Sequence, residues 1–563
     1  MAVVGELARA LHRAGIRRCF GVPGTQLVNF LDQLVDSGIA FHLAAHEGGA
    51  AFMANGHFRA SGEVALLATI GGPGFTNALT GIAEARLDSV ALLHVVNGMA
   101  PGAAERFELQ AIGQDEVADV LYKEVFRVSP GADVGDTVDR ALDVARTGEP
   151  GPVLLQFSES AALEAPPSRE APAVEGIAID DLVARWRSAR RPILLLGQGA
   201  REAGPILTTV VEKVGVPVLT TTSGRGVISE TNRWVLGFDA LRGGLDTLNG
   251  LLTESDLVVG IGAKLGHNGT AGFQLELDPD GFVHADASAT SLTGGRYSGA
   301  RLHAPALEVG RALASCDRGT SAWDPTRVGE VRTTLRTAAV HPTEPRIWWG
   351  DRRVLARDFF VRLQKSLPDD TLFVTDSGQH QISARRYLEV RRPAGLLVPS
   401  DLQSMGYGIP AAIGAALADP DAPVVALSGD GGFRMSGFEL VTTVRESVPM
   451  LIVVFSDGVL NQIRLHQLRD FGRAVGVELG HLDLETFCHA AGCDYVRFDG
   501  SQDLGRILRD ATDPMVLEVG VGDAPLTPLV AARARGRAIV RSTLGERVIT
   551  RLKSILRRFR RTT

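Results

Sequence analysis

A chain of 563 residues, 45% of them hydrophobic, is long enough for about three to four globular domains with full cores. Its formal net charge of −7 carries no global signature of a nucleic-acid-binding protein, and no apolar stretch reaches the length of a membrane span. The four cysteines, Cys19, Cys316, Cys488 and Cys493, lack zinc-ligand spacing, and neither a signal nor a transit pattern follows Met1; free thiols and a cytoplasmic location are expected.

In chain order, a first unit, residues 1–165, carries apolar runs at Val64–Thr69, Val90–Val96 and Val153–Phe157, with a helix-like stretch from Thr76 to Arg86. Such alternation predicts a parallel sheet covered on both faces. The proline-rich stretch 165–172 reads as a linker. A second unit, residues 178–335, has strand-like runs at Ile193–Leu196, Val216–Thr220 and Leu257–Ile261. Gly197-Gln198-Gly199 follows the first of these but lacks the full spacing of a dinucleotide fingerprint, so a structural turn is expected. Beyond Asp317, a polar region with Pro325, Pro342 and Pro345 reads as a long connection to a third unit, residues 352–525. The predicted fold class is α/β, with three doubly wound parallel-sheet domains.

The third unit holds the densest chemistry. Val424–Leu427 is a short apolar run that stops at Ser428-Gly429-Asp430-Gly431-Gly432, and a second run, Met450–Phe455, ends at Asp457. Ligands of open α/β sheets bind beyond the carboxyl ends of strands, where two neighbouring ends would present Asp430 and Asp457 together. Hard oxygen ligands of this kind suit Mg²⁺ bridging to a phosphate. Gly431 and Gly432 let backbone N–H groups approach phosphate oxygens, and Ser436 to Glu446 reads as a helix whose amino end favours the anion.

Gly429-Asp430-Gly431 followed by Ser456-Asp457 resembles the signature of thiamine-diphosphate (ThDP) enzymes, in particular their acetohydroxyacid (acetolactate) synthase and pyruvate oxidase branch. Three further blocks are similar: the Ala45-His46-Glu47-Gly48-Gly49 segment with the Gly72-Pro73-Gly74-Phe75-Thr76-Asn77 loop, Asp376-Ser377-Gly378-Gln379-His380, and Ser404-Met405-Gly406-Tyr407-Gly408. The likeness spans residues 1 to 525 and implies a pyrimidine-binding, a central and a diphosphate-binding domain. It implies that Glu47 activates the aminopyrimidine beside the loop of Pro73 and Asn77. Met405 would wedge between the cofactor rings, and the Gln403 carbonyl would accept from the 4′-amino group. Gln379, His380 and the N–H groups of Gly431 and Gly432 would touch the diphosphate. Asp430, Asp457 and the Val459 carbonyl would hold the metal. The family has Asn-Asn where this chain has Ser456-Asp457, and a glutamine where it has Gly48. It also places Glu47 and the metal motif on different subunits, so a homodimer or homotetramer is implied.

By the same resemblance, the reaction is decarboxylation of a 2-oxo acid such as pyruvate. None of the 13 histidines has a histidine neighbour, unlike the proton-donating pair of simple pyruvate decarboxylases, which favours capture of the enamine by a second carbonyl acceptor. Gln110 aligns with a glutamine lining the synthase pocket, and His466 stands where those synthases carry a tryptophan tied to acceptor choice. Asn461, Gln462 and Arg464 make that side more polar. The alternatives are an FAD-dependent oxidase of the pyruvate oxidase type, a simple decarboxylase, and a silent binding protein of the same fold. Residues 531–563 hold eleven Arg or Lys against one acid, a net of +10, with Leu544, Val548, Leu552 and Ile555 on one helical face. Such a tail suits a peripheral membrane or partner contact as well as a helix packed on its own subunit or a disordered arm.

Overall fold

The computed structural model describes residues 2–97, 110, 112–159, 174–239, 243–293, 295–338, 346–349, 352–510 and 513–522. The expected linker at 165–172, Pro342, Pro345 and the basic tail at 531–563 lie outside the described residues. The N-terminal sheet has six strands: β1 (Arg18–Gly21), β2 (Ala40–Leu43), β3 (Ala65–Thr69), β4 (Leu92–Asn97), β5 (Val125–Val128) and β6 (Pro152–Phe157). Their order is β2-β1-β3-β4-β6-β5, and every pairing is parallel. β3 and β6 are buried along their whole length. Burial on both faces is why they read as continuous apolar runs rather than alternating ones.

The central sheet is also parallel. β7 (Pro192–Leu196), β8 (Val218–Thr220), β9 (Leu257–Ile261), β10 (Phe282–Asp286) and β11 (Ala300–His303) lie in the order β11-β10-β9-β7-β8. After β7, the N–H groups of Gly197 and Gly199 donate to the carbonyls of Ile261 and Gly262, both at 3.0 Å, and the Gln198 amide donates to the Asp88 carbonyl at 2.9 Å. These donors are consumed by the fold, so the segment is the packed turn its spacing suggested. The region after Asp317, expected as a plain connection, contains a helix, Pro325–Ala338. Asp324 accepts from the Thr326 N–H at 2.9 Å, and Val328, Val331 and Leu335 enter the central core. Proline at the first helical position loses no intrahelical bond, so Pro325 starts a helix where its sequence context suggested a loop.

The C-terminal sheet has eight strands, with path β13-β12-β19-β17-β16-β14-β15 and β18 beside β19. They are β12 (Arg346–Trp349), β13 (Arg352–Leu355), β14 (Leu372–Thr375), β15 (Leu396–Leu397), β16 (Val424–Gly429), β17 (Leu451–Ser456), β18 (Asp494–Phe498) and β19 (Met515–Gly522). β14 to β19 pair in parallel, whereas β12 runs antiparallel to both β13 and β19, and β13 finishes that edge. The expected helix from Ser436 to Glu446 is present as Glu439–Arg445, and a separate short helix, Asp430–Ser436, precedes it and begins at Asp430 itself. The chain turns at Gly437, where a Cβ would lie 2.7 Å from the Phe433 carbonyl oxygen. Gly431 and Gly432 therefore form a helix's first turn and not a loop ahead of one.

Two contacts lock the units together. The Glu47–Ser61 helix crosses the Gly408–Ala418 helix so closely that a Cβ on Gly56 would sit 1.9 Å from the Ala411 oxygen, and one on Gly414 1.8 Å from the Met53 oxygen. Only glycine permits that backbone approach. Between the central and C-terminal units, buried Arg225 donates to Glu230 at 2.6 and 3.0 Å and to the carbonyls of Arg385 and Leu388, while Arg385 pairs with Asp239 at 2.9 Å. This arrangement anchors the carboxyl half of the Gln379–Tyr387 helix. Gly414→Ala forces the crossing helices apart; urea unfolding should show a loss of at least about 1–3 kcal/mol, and unchanged stability would contradict the close contact.

Candidate functional site

β16 and β17 are neighbours in a register that sets Gly429 opposite Phe455. Their carboxyl ends deliver Asp430 and Asp457 to one cavity of about 250 Å³. Asp430 Oδ2 accepts from the N–H groups of Asp457 at 3.2 Å and Gly458 at 2.6 Å, and Asp457 Oδ1 accepts from the Val459 N–H at 3.1 Å. Burial pushes both carboxyls up; for Asp457 the charge of Asp430 adds to it and the value reaches about 6. Two half-buried carboxylates side by side resist joint ionisation, and a divalent cation between them removes that penalty. Val459 lines the same cavity.

The opposite wall comes from the segment after β14 and from the loop before the Gly408–Ala418 helix, which supply Gln379, His380, Gln403 and Met405. Gly378 has φ +149°, a conformation that glycine tolerates, and turns the chain into the helix that starts at Gln379. His380 is buried, its ring stacks on Phe455 at 5.9 Å between centroids, and its Nε2 has no hydrogen-bond partner. Burial lowers its pKa to about 4, so the ring is neutral at ordinary pH. A Cβ on Gly431 would lie 2.7 Å from Leu460 Cδ2 and 3.3 Å from Met405 Cε, so only a glycine leaves the cradle open. An unpartnered buried imidazole nitrogen, a glycine-lined helix start and a carboxylate pair fit a metal diphosphate.

The N-terminal candidates gather elsewhere. His46 caps its helix through the Gly48 N–H at 3.0 Å and sets Glu47 at the helix start. Asn77 donates to Glu47 Oε2 at 3.0 Å. Gly72 has φ +66°, and a Cβ there would lie 2.5 Å from the Gln110 oxygen, which places Gln110 against the loop of Pro73. Pro73 and Asn77 are exposed, and none of Glu47, Pro73, Asn77 and Gln110 lines the cavity of Asp430 within one chain. His466 is likewise exposed on the Asn461–Phe471 helix and away from the cavity wall, whereas Asn461 and Gln462 line it.

Two residues with no local sequence signal complete the N-terminal half. Gln26 accepts from the Gly71 N–H at 3.0 Å and donates to Gln110 Oε1 at 2.8 Å, tying the loop to its glutamine. Glu439, buried in the C-terminal unit, accepts from the Ala45 N–H at 3.1 and 3.2 Å and from the Thr442 hydroxyl at 2.8 Å, and so braces the approach to Glu47.

Three family models match the chain in the order of its sheets. They are described as the N-terminal TPP binding domain (residues 1–117), the central domain (179–312) and the C-terminal TPP binding domain (376–519) of thiamine pyrophosphate enzymes. Among curated proteins, the chain is 26% identical to the probable acetolactate synthase large subunit of Methanocaldococcus jannaschii, over 95% of this chain and 94% of that one. It is 28% identical to the acetolactate synthase large subunit of Corynebacterium glutamicum, over 93% and 88%. It is 26% identical to that of Lactococcus lactis, over 93% of both chains.

Asp430→Ala should weaken Mg²⁺-dependent ThDP binding by about 100-fold or more, since even outer-shell partners of a metal contribute about 10- to 100-fold. Asp457→Asn, which keeps a neutral oxygen, should stay within about tenfold of wild type on the same scale. Equilibrium dialysis with and without Mg²⁺ separates the two, and normal affinity in Asp430→Ala would contradict the ligand assignment.

Proposed function

The chain belongs to the thiamine pyrophosphate enzymes, and on that premise we propose that it decarboxylates a 2-oxo acid such as pyruvate and joins the remaining acyl unit to a second carbonyl compound, using Mg²⁺ and a site shared between two copies. The observation that carries this reading is the convergence of Asp430, Asp457, His380, Gln403 and Met405 on one cavity, in which burial keeps His380 neutral. The similarity to proteins named acetolactate synthase large subunit supports the carboligation half.

When bound, thiamine diphosphate supplies a carbon nucleophile that makes loss of CO₂ from a 2-oxo acid feasible; the chain's residues bind, orient and shield it. Asp430, Asp457 and the Val459 carbonyl would hold the cation, and the N–H groups of Gly431 and Gly432 would meet the phosphates. Glu47, steadied by Asn77, would hold a proton at the far end of the cofactor. His380 is neutral and stacked, so it positions rather than protonates. With proton delivery poor, a second carbonyl compound competes well for the acyl unit, and Asn461 and Gln462 give its entrance a polar wall.

The separation of the two halves supports a shared site. Pro73 and Asn77 are exposed and Glu47 beside them is half-buried, while Met435 and Phe438, beyond the Asp430 helix start, are 64% and 68% exposed. Exposed apolar side chains next to an incomplete site suit burial by a second copy of the chain. Incubation with ThDP, Mg²⁺ and paired 2-oxo acids should yield CO₂ and a product whose mass is the sum of both reactants less CO₂; free aldehyde as the sole product would contradict carboligation. Glu47→Gln should slow hydrogen exchange at the cofactor C2 by about 10²- to 10⁴-fold with cofactor still bound, and an unchanged rate would remove Glu47 from the mechanism.

A further inference from the structure

The segment from Val398 to Gly408 carries Gln403 and Met405 into the cavity, and its backbone is held from behind by buried groups of the other domains. Arg59 donates to the Val398 carbonyl at 2.8 Å and pairs with Asp88 at 2.9 Å, and Asp88 Oδ1 accepts from the Ser400 N–H at 3.2 Å. These bonds join the domains. The two bonds that flank Met405 do something more local. The Ser404 N–H donates to Glu84 Oε2 at 3.0 Å, and the Gly406 N–H donates to the two oxygens of Asp376 at 2.9 and 3.1 Å. The Gln403–Ser404 and Met405–Gly406 peptides are thus each gripped by a buried carboxylate, one from the Pro73–Leu87 helix and one from the end of β14. Immediately before Ser404, Gln403 has φ +61°, a strained value for a residue with a side chain, which the surroundings must enforce.

We propose that Glu84 is a positioning residue that sets Met405 and the Gln403 carbonyl over the cofactor site by holding the Ser404 N–H. Glu84 is fully buried and does not line the cavity, so it acts through the loop and not on the substrate. A carboxyl in such surroundings is costly unless hydrogen-bonded, and a bonded backbone N–H fixes the peptide in one orientation. The Arg59–Asp88 pair already joins the domains at Val398 and Ser400, which leaves the Glu84 bond directed at the register of Met405. Burial, with the charge of Asp88, pushes Glu84 up to about 7. The required property is an acceptor oxygen at this place, which glutamine also supplies.

The proposal rests on the ThDP reading and is tested in the full-length protein by hydrogen exchange at the cofactor C2 at saturating ThDP and Mg²⁺, with ThDP affinity measured separately. Glu84→Ala and Glu84→Asp, which remove or withdraw the oxygen, should slow exchange by about 10- to 100-fold, the cost of a misplacement near 1 Å. Glu84→Gln should stay within about threefold of wild type, because its oxygen still accepts. Adding Glu84→Ala to Met405→Ala should slow exchange no further than Met405→Ala alone, since both act through one contact. Wild-type exchange in Glu84→Asp, equal slowing in Glu84→Gln, or additive slowing in the double variant would each overturn the proposal. Should the wild-type protein bind no ThDP, the functional reading beneath it falls first, and the two failures are distinguishable.

Discussion

The close backbone crossing in which Gly56 meets Ala411 and Gly414 meets Met53 is the constraint on which the site depends. It draws the helix that begins at Glu47 against the helix that follows the Met405 loop, with room for nothing larger than hydrogen on either glycine. A contact this close fixes the distance and angle between the first and third units, because packed backbones do not slide. Glu439 adds a brace from the third unit to the peptide at Ala45, just before Glu47. The same chain therefore places its proposed activating acid outside its own cavity, with Pro73 and Asn77 facing solvent. The proposed second copy follows from this rigidity: what one chain cannot fold back to reach, another can supply.

Charge, not only apolar packing, sets the inner surfaces. Arg59 and Arg225 are buried and bonded to carboxylates and backbone carbonyls from two units each, and buried Arg385 reaches from the third unit to the Asp239 carboxylate and the Thr222 hydroxyl of the second. Buried ion pairs contribute little net stability against apolar substitutes, yet removal of one partner is expensive, so they specify one docking arrangement over others. Here the groups they hold are the ends of cavity segments. Arg385 closes the helix that starts at Gln379, and Arg59 with Asp88 grips the loop ahead of Gln403. Asp376, fully buried, accepts from the N–H groups of Ser377, Gly406 and Gly408 and joins the two walls directly.

Much of this was legible in the sequence because strand ends and glycines leave local marks. Val424–Leu427 and Met450–Phe455 read as buried strands, and β16 and β17 bear them out to within about two residues. The Asp430 and Asp457 spacing became a common cavity because those strands are neighbours in the sheet. The Gly437 break was missed, since a glycine within a helical pattern looks tolerable until the Phe433 carbonyl is seen behind it. Pro325 was misread for the opposite reason: its helix-starting role depends on Asp324 and on apolar partners far along the chain. Glu84, Asp88 and Glu439 were invisible. Each is a single acid in or at the end of a helix, and the loop N–H it holds lies more than 300 residues away in sequence, beyond any periodic signal.

The central claim is that every working site combines the first unit of one chain with the third unit of another. Mixing two inactive chains tests it most directly: one carries Glu47→Gln with an intact metal end, the other Asp430→Ala with an intact Glu47. After subunit exchange of equal amounts, random pairing leaves one complete site in each mixed dimer, so activity should return to about a quarter of the wild-type value. A mixture that exchanges subunits yet stays as inactive as its components would show that each chain builds its own site, and the account would be wrong.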